Sequence, residues 1–484
     1  MRWTVSARVL VQLITWPATV VVMRLLNPHD YGLVAMSTVV IGFVSMFAEP
    51  GLGAGLVQTQ VLRDETSRAA SALIVLLNLL LLTGLVIAAP SVAAWYREPE
   101  LTRVMRVASL SLLITAIATV PQAHLQRNLR FREMAVALIA GNLAGSLTTI
   151  VCAVLGLGVW SLVFGALVLS TLNSLVTIAY NRRTFRPDFF GGFGPIRHLM
   201  HFSLHILGNR ILWYCSMNLD LLVLARMVRS TDLGNYSVGA NLAAIPSDKG
   251  MAVVNTVSFP TLSRMRPRRE QFNHTYARIL RMLALYGFLV AWGLAAVSPE
   301  FVHVVLSDKW RFAVIPLAML SIAAPLRMLT AFQNTINNAA GAPQATTKVL
   351  ALTCLVLPVA IFIGGRTAGI NGAAVSWVVV YAILFLVSTL YTCRVTQCRL
   401  REGLQFVLVP LLAGISMLLV TMALRSWLYL TLTPAVLLCL EIVAATATFL
   451  VTVRVLGPAA LSDARALLRD LLRPERMTDP EPAS

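Results

Sequence analysis

The feature that most constrains this chain is a series of apolar stretches, each long enough to cross a bilayer, recurring from one end to the other. A lipid-exposed backbone must satisfy its own polar groups, so a run of about 20 apolar residues reads as a membrane helix. Breaks rich in Arg, Gly and Pro predict spans at 6–26, 32–57, 69–93, 104–123, 134–155, 159–180, 198–224, 233–261, 275–297, 312–339, 345–363, 370–392, 404–424 and 433–457. Composition supports this reading over a string of soluble domains. Hydrophobic residues make up 57% and charged residues 12%, where an ordinary soluble domain carries about 25% charge. The apolar run from Val9 to Leu26 is too long for a cleaved signal and lacks a small-residue cleavage site, so it reads as the first span.

The chain carries 39 Lys+Arg against 21 Asp+Glu, a net charge of +18, and only three of the basic residues are lysines (Lys249, Lys309 and Lys348). In a soluble protein this balance would point to nucleic acid. With a mean hydropathy of +0.76, nucleic acid is not the expected partner, and the charge is read first as a topology signal. Loops on the side of the N-terminus hold 25 basic residues and the opposite loops hold 9. Five more lie within spans: Arg106, Arg210, Lys249, Arg281 and Arg327. The bias predicts both termini in the cytoplasm. The segment Pro458–Arg473 reads as a basic amphipathic helix on the inner leaflet, followed by a disordered end.

An internal repeat organises the spans. Arg24-x5-Asp30-Tyr31-Gly32 recurs as Arg226-x5-Asp232-Leu233-Gly234, 202 residues later, each copy between the first and second span of a six-span set. Gly156-Leu157-Gly158 opens the sixth span and Gly369-Ile370-Asn371-Gly372 the twelfth. The expected fold is all-α and polytopic, with about 14 transmembrane helices: two six-helix lobes in parallel repeat plus a C-terminal helix pair. The expected boundaries are a first lobe at 1–181, a linker at 182–197, a second lobe at 198–395, the extra pair at 396–458 and a tail at 459–484.

Residues 21–58 (VVMRLLNPHDYGLVAMSTVVIGFVSMFAEPGLGAGLVQ), the GVWSLVFGAL of 158–167 and the NLDLLVLARMVRSTDLGNYSVGANLAAIPSDKGMAVVNTVSFPTLSR of 218–264 resemble signatures of the polysaccharide-transporter (Wzx-type) flippases. Where that family has Gly after "D.lli", this chain has Ala225. The resemblance covers roughly residues 5–395 and is closest to the exopolysaccharide branch. It implies the two-lobed fold of the multidrug/oligosaccharidyl-lipid/polysaccharide superfamily. It also implies that undecaprenyl-pyrophosphate-linked oligosaccharide repeat units are carried from the inner to the outer leaflet, and that a polymerase and export machinery act downstream.

Charges inside spans are costly and usually face a cavity or a partner. The set is Glu49, Arg106, Arg210, Asp220, Asp248, Lys249, Arg281, Arg327 and Glu441. Arg210, Lys249 and Arg327 lie deepest, and they are the expected cavity cations for a pyrophosphate-bearing head group. The competing role is internal pairing, of Asp248 with Lys249 and of Asp220 with Arg210. Arg24 and Arg226, near the outer ends, are expected either to guide the saccharide or to serve their own turns beside Asp30 and Asp232. Glu49 precedes Pro50 at a bend, where it could take up H+ or Na+ for coupling or serve as an ion-pair partner.

His198, His201 and His205 share a helix face at the cytoplasmic interface, a position that suits packing better than metal. No cofactor is expected. The glycines at 51, 53 and 55 lack a following Lys, no G-K-[ST] occurs, and neither H-E-x-x-H nor G-x-S-x-G is present. Gly141 and Gly145 predict close helix packing. A multidrug antiporter would want acidic groups at depth. A polymerase or ligase would need a larger outer loop than the one at Ser298–Arg311, and the motifs fit a lipid II flippase less well.

Overall fold

The computed structural model describes residues 2–48, 64–182, 211, 214–265, 269–397, 400–428 and 431–457. Arg210, Glu49, the three histidines of 198–205, nearly all of the 182–197 linker and the 459–484 tail fall outside the described residues.

Within those bounds the chain is helical. The first repeat comprises α1 (Arg2–Leu25), α2 (Pro28–Ala48), α3 (Asp64–Tyr96), α4 (Leu101–Arg127, interrupted at Ser109), α5 (Phe131–Val154) and α6 (Val159–Asn181). Next come α7 (214–227), α8 (Ser230–Met265), α9 (Arg269–Ala296) and α10 (Val314–Ala339). The run Pro343–Thr396 is broken at Ala368 and Gly369 into α11 (343–367) and α12 (370–396). The chain closes with α13 (Leu400–Leu428) and α14 (Pro434–Leu456). Ten helical runs among the described residues are long and apolar enough to cross a membrane, with 343–396 counted once.

The expected spans and these helices agree to within a few residues, except that α2 is described only to Ala48, short of the expected 57, and α7 only from 214. Pro occupies the first position of α2 and α14, where its missing N–H costs nothing. Side chains such as Leu80, Ile87, Leu147 and Val443 stay exposed, as lipid-facing residues must.

The repeat is written in the backbone. Gly158, just before α6, has φ +55° and ψ −129°, and Gly369, just before α12, has φ +57° and ψ −138°. Any residue with a Cβ would be strained there, so the same turn is made twice by the same residue type.

The helices cluster into two compact units, Met1–Ser237 and Val238–Ser484, with α8 beginning in the first and continuing in the second. In the first unit, α5 and α6 pack closest, through glycine. A Cβ on Gly141 would lie 2.8 Å from the carbonyl oxygen of Leu169, and one on Gly145 would lie 2.9 Å from that of Gly165. Asn181 Nδ2 donates to the Pro121 carbonyl at 3.1 Å, tying the C-terminal ends of α6 and α4.

In the second unit, one apolar core joins α9, α10, α12, α13 and α14, built on Tyr276, Phe288, Trp292, Phe332, Phe385, Met417 and Phe449. The C-terminal pair therefore docks on α9. Gly414 of α13 makes room for the Trp292 ring, 2.6 Å from where a Cβ would stand. The same pair is pinned by charge: Arg425 donates to both oxygens of Glu300, at 2.8 and 2.6 Å, and its Nε lies 3.3 Å from Glu441. Glu441 is fully buried and Glu300 nearly so. The Ser298–Arg311 loop folds into a short helix, a π turn and a 3-10 turn around the buried Trp310.

Candidate functional site

The two repeat motifs meet in the first unit. Gly32 lies one turn into α2 and Gly234 one turn into α8. A Cβ on Gly32 would overlap the Ser230 carbonyl oxygen and stand 2.6 Å from its carbon. A Cβ on Gly234 would overlap the Pro28 carbonyl oxygen and stand 2.7 Å from its carbon. Ser230 is Pro28 shifted by 202 residues, as Gly234 is Gly32. Each repeat thus presses its glycine on the other's first helical residue, a reciprocal contact that only a local two-fold relation produces. Glycine is required because backbone approaches backbone.

Polar groups serve these helix starts. Asp30 Oδ2 accepts from the Asn27 N–H at 3.0 Å, capping α2. Glu98, at the end of α3, accepts from the Ser230 N–H at 3.3 Å and lies 3.9 Å from His29. One carboxylate therefore touches both repeats at the clasp. The guanidinium of Arg226 lies 5.8 Å from the centre of the Trp95 ring, and Arg24 is exposed in the last turn of α1, where a cation suits the helix end.

Below the clasp, α7 is anchored to α2. Tyr214 donates to the Val39 carbonyl at 2.8 Å, in a recess left by Gly42. Asp220 is buried, accepting from Tyr236 Oη at 2.9 Å and from the Leu221 N–H at 2.8 Å. It serves as the anchor between α7 and the start of α8.

In the second unit, Asp248 and Lys249 sit at the midpoint of the 36-residue α8, and both are exposed. The expectation that they pair with each other does not match this geometry. Adjacent helical residues diverge around the axis, and neither makes an ion pair with another described residue. Exposed Asn241 precedes them by two turns on the same face, while Leu242, Ala243, Pro246 and Ser247 are buried. The result is an open polar stripe of Asn241, Asp248 and Lys249. Charge at the middle of a membrane helix is tolerated where it faces water or a polar ligand, not hydrocarbon.

Arg327, the other deep cation described, is half-buried with its guanidinium 5.7 Å from the centre of the Trp377 ring. Its charge is engaged by an aromatic face on α12. Sequence reasoning missed Glu98 and Tyr214, whose partners lie far along the chain, and Tyr236, whose partner Asp220 is on the preceding helix. Asn241 was visible at helical spacing from Lys249.

Comparison with known proteins agrees with this architecture. Over 98% of the chain the fold superposes on all of the lipid II flippase MurJ in its inward closed conformation, with a TM-score of 0.74 at 12% identity. Over 80% of the chain it superposes on 96% of an inward-facing multidrug transporter of the MATE family, with a TM-score of 0.62 at 16% identity. The lipopolysaccharide biosynthesis protein WzxC of Escherichia coli is 22% identical over 80% of the chain and 79% of its own length. The succinoglycan biosynthesis transport protein ExoT of Rhizobium meliloti is 25% identical over 63% of the chain and 61% of its own length. These likenesses, with the ten long apolar helical runs, make the protein a multi-pass membrane protein with the fold that these transporters share. A family described as polysaccharide biosynthesis protein matches residues 21–315, more than half of the chain, and the chain belongs to that family.

Proposed function

We propose that the protein carries undecaprenyl-pyrophosphate-linked oligosaccharide repeat units from the inner to the outer leaflet of a bacterial inner membrane, with both termini cytoplasmic. A polymerase and export machinery would consume the product. The observation that carries this reading is the open polar stripe on α8. It offers a lysine ammonium, an amide and a carboxylate along the middle of α8, the expected eighth span, where a hydroxyl-rich anionic head group needs partners.

Lys249 and Arg210 attract the pyrophosphate in this mechanism, Arg327 supplies positive potential beside Trp377, and Asn241 meets sugar hydroxyls. The polyprenyl tail stays in lipid. Alternating access supplies the motion, with the glycine contact of α2 and α8 as the part that opens and closes on the outer side. A cationic drug would be repelled by the same lysine, which disfavours a multidrug antiporter.

The test is gene deletion followed by complementation. The deletion strain should accumulate lipid-linked repeat units on the cytoplasmic leaflet and lose its polymer. The Arg210→Ala, Lys249→Ala double variant should insert normally yet fail to restore output. Normal polymer in the deletion strain would refute the reading, and normal output from the double variant would remove these two residues from the mechanism.

A further inference from the structure

The second unit holds a cavity that the mechanism above does not use. It lies where membrane-length helices end together, between the loop after α9, the first turn of α10, and the α13–α14 loop with the first turn of α14. Its volume is about 400 Å³, within the range of small-ligand sites. One part of its lining is polar, made by Glu300, His303, Ser307, Asp308 and Arg311. The rest is apolar and includes Val302, Val314 and Leu437.

The polar wall is strained. Ser307 has φ +102° and ψ 164°, a region that glycine fills and any side chain makes costly. It joins a π turn, Val302–Leu306, to a 3-10 turn, Asp308–Ala313. Three ties hold it there. The Ser307 N–H donates to the Val302 carbonyl at 2.9 Å, its carbonyl accepts from the Trp310 N–H at 3.1 Å, and His303 Nδ1 reaches across to the Asp308 carboxylate. Strain fixed by its surroundings in this way gathers at ligand sites, as π turns do.

Charges of both signs line the cavity, and they differ in what is left to them. Glu300 is nearly buried and committed, since both its oxygens accept from Arg425, at 2.8 and 2.6 Å. Asp308 is exposed and gives one oxygen to His303, so its second oxygen is available. Arg311 makes no ion pair among the described residues. Its guanidinium lies over the neighbouring Phe312 ring, 4.7 Å from the centre, a contact that leaves N–H groups for a ligand. The first N–H groups of α14 receive no cap from the Thr433 side chain. Apolar surface continues outwards from the cavity, where Phe312, Ile315 and Val436 are exposed.

We propose that this cavity binds the head group of a zwitterionic aminophospholipid from the bordering leaflet. Arg311 and the start of α14 take the phosphate, and Asp308 takes the primary ammonium. The apolar lining takes the glycerol and the first methylenes of the chains. A purely anionic lipid would set its charge against Asp308 with nothing in return, and a soluble zwitterion would leave the apolar lining unused. The lipid ties the α9–α10 loop to the α13–α14 loop, and it is distinct from the carried substrate.

The experiment uses the full-length protein, delipidated in detergent, with short-chain phosphatidylethanolamine as the probe and native mass spectrometry to count bound lipid. Saturable binding of a single lipid per chain is expected. Phosphatidylglycerol, which lacks the ammonium, and glycerophosphoethanolamine, which lacks the chains, should each bind about tenfold more weakly. Arg311→Gln and Asp308→Asn, both at exposed positions, should each weaken phosphatidylethanolamine about tenfold, the worth of one charge-assisted hydrogen bond. Arg366→Gln, at an exposed arginine at the end of α11 and outside the cavity lining, should leave it unchanged. Equal binding of phosphatidylglycerol would overturn the head-group assignment, and equal binding of glycerophosphoethanolamine would replace the lipid by a soluble ligand. Unchanged binding in both cavity variants, or an equal loss in Arg366→Gln, would overturn the site. No probe carries a sugar or a polyprenyl chain, so this proposal and the flippase reading fail separately.

Discussion

The reciprocal glycine contact makes a sharp prediction, because a methyl group is enough to disturb it. In Gly32→Ala the new Cβ would stand 2.6 Å from the Ser230 carbonyl carbon, where carbon atoms settle at about 3.5–4.0 Å. The obstacle is backbone, so no side-chain rotation relieves it, and α2 and the start of α8 must part by about 1 Å. Overpacking of this kind costs about 1–3 kcal/mol. Alanine is also the better helix former, by about 1 kcal/mol, so any loss is charged to the contact rather than to the helix.

If the contact exists only while the outer side is closed, that cost shifts the closed–open equilibrium by about 5–150-fold. Gly234→Ala, at the symmetry-related position, should act in the same direction. The assay is labelling of a cysteine placed at His29, beside the contact, by a membrane-impermeant maleimide on intact spheroplasts. Both alanine variants should label faster by a factor within that range, at unchanged protein level. Labelling unchanged in both variants would refute the idea that this contact is the outer closure.

Arg425→Ala leaves two buried carboxylates without their cation and should lower stability by about 3–5 kcal/mol, read as a large fall in unfolding temperature. The triple change of Arg425, Glu300 and Glu441 to Met, Leu and Leu should be far less damaging. Tyr236→Phe removes a donor to the buried Asp220 and should cost about 1–3 kcal/mol, measured by thermal unfolding. Asp220→Asn keeps an acceptor and should cost less. Lys249→Gln should reduce polymer output with normal insertion, and more so than Arg327→Gln, because Lys249 is exposed while Arg327 is engaged by Trp377.

The spans were legible because lipid permits only one backbone solution for a long apolar run. The repeat was legible because Gly32, Gly234, Gly158 and Gly369 sit where a Cβ is forbidden by close approach or by positive φ. Such positions leave a mark in the residue type itself. Partnerships across the chain leave none. Arg425 reads as an ordinary outer-end arginine until Glu300 and Glu441 are found on either side of it. Arg327 reads as an open cation until Trp377 is found beneath it.

Asp248 and Lys249 were legible as charges but not as neighbours that point apart. That needed helix phase and burial together. Gln333 and Asn337 were passed over because a neutral amide in a span is cheap if satisfied. Only packing shows that Gln333 bonds Thr389 through Nε2 while its Oε1 and both amide atoms of Asn337 have no partner.

The Arg425 triad also sets a clock during synthesis. Glu300 enters the membrane region 125 residues before its arginine is made. At about 5–20 residues per second, that carboxylate waits about 6–25 s. During that interval the second unit carries a carboxylate with no counter-ion and not yet covered by α13, and the unit is complete only when the last two helices arrive. A ribosome stalled before α13 should therefore leave a nascent chain that differs from the finished protein by one uncovered, unpaired carboxylate.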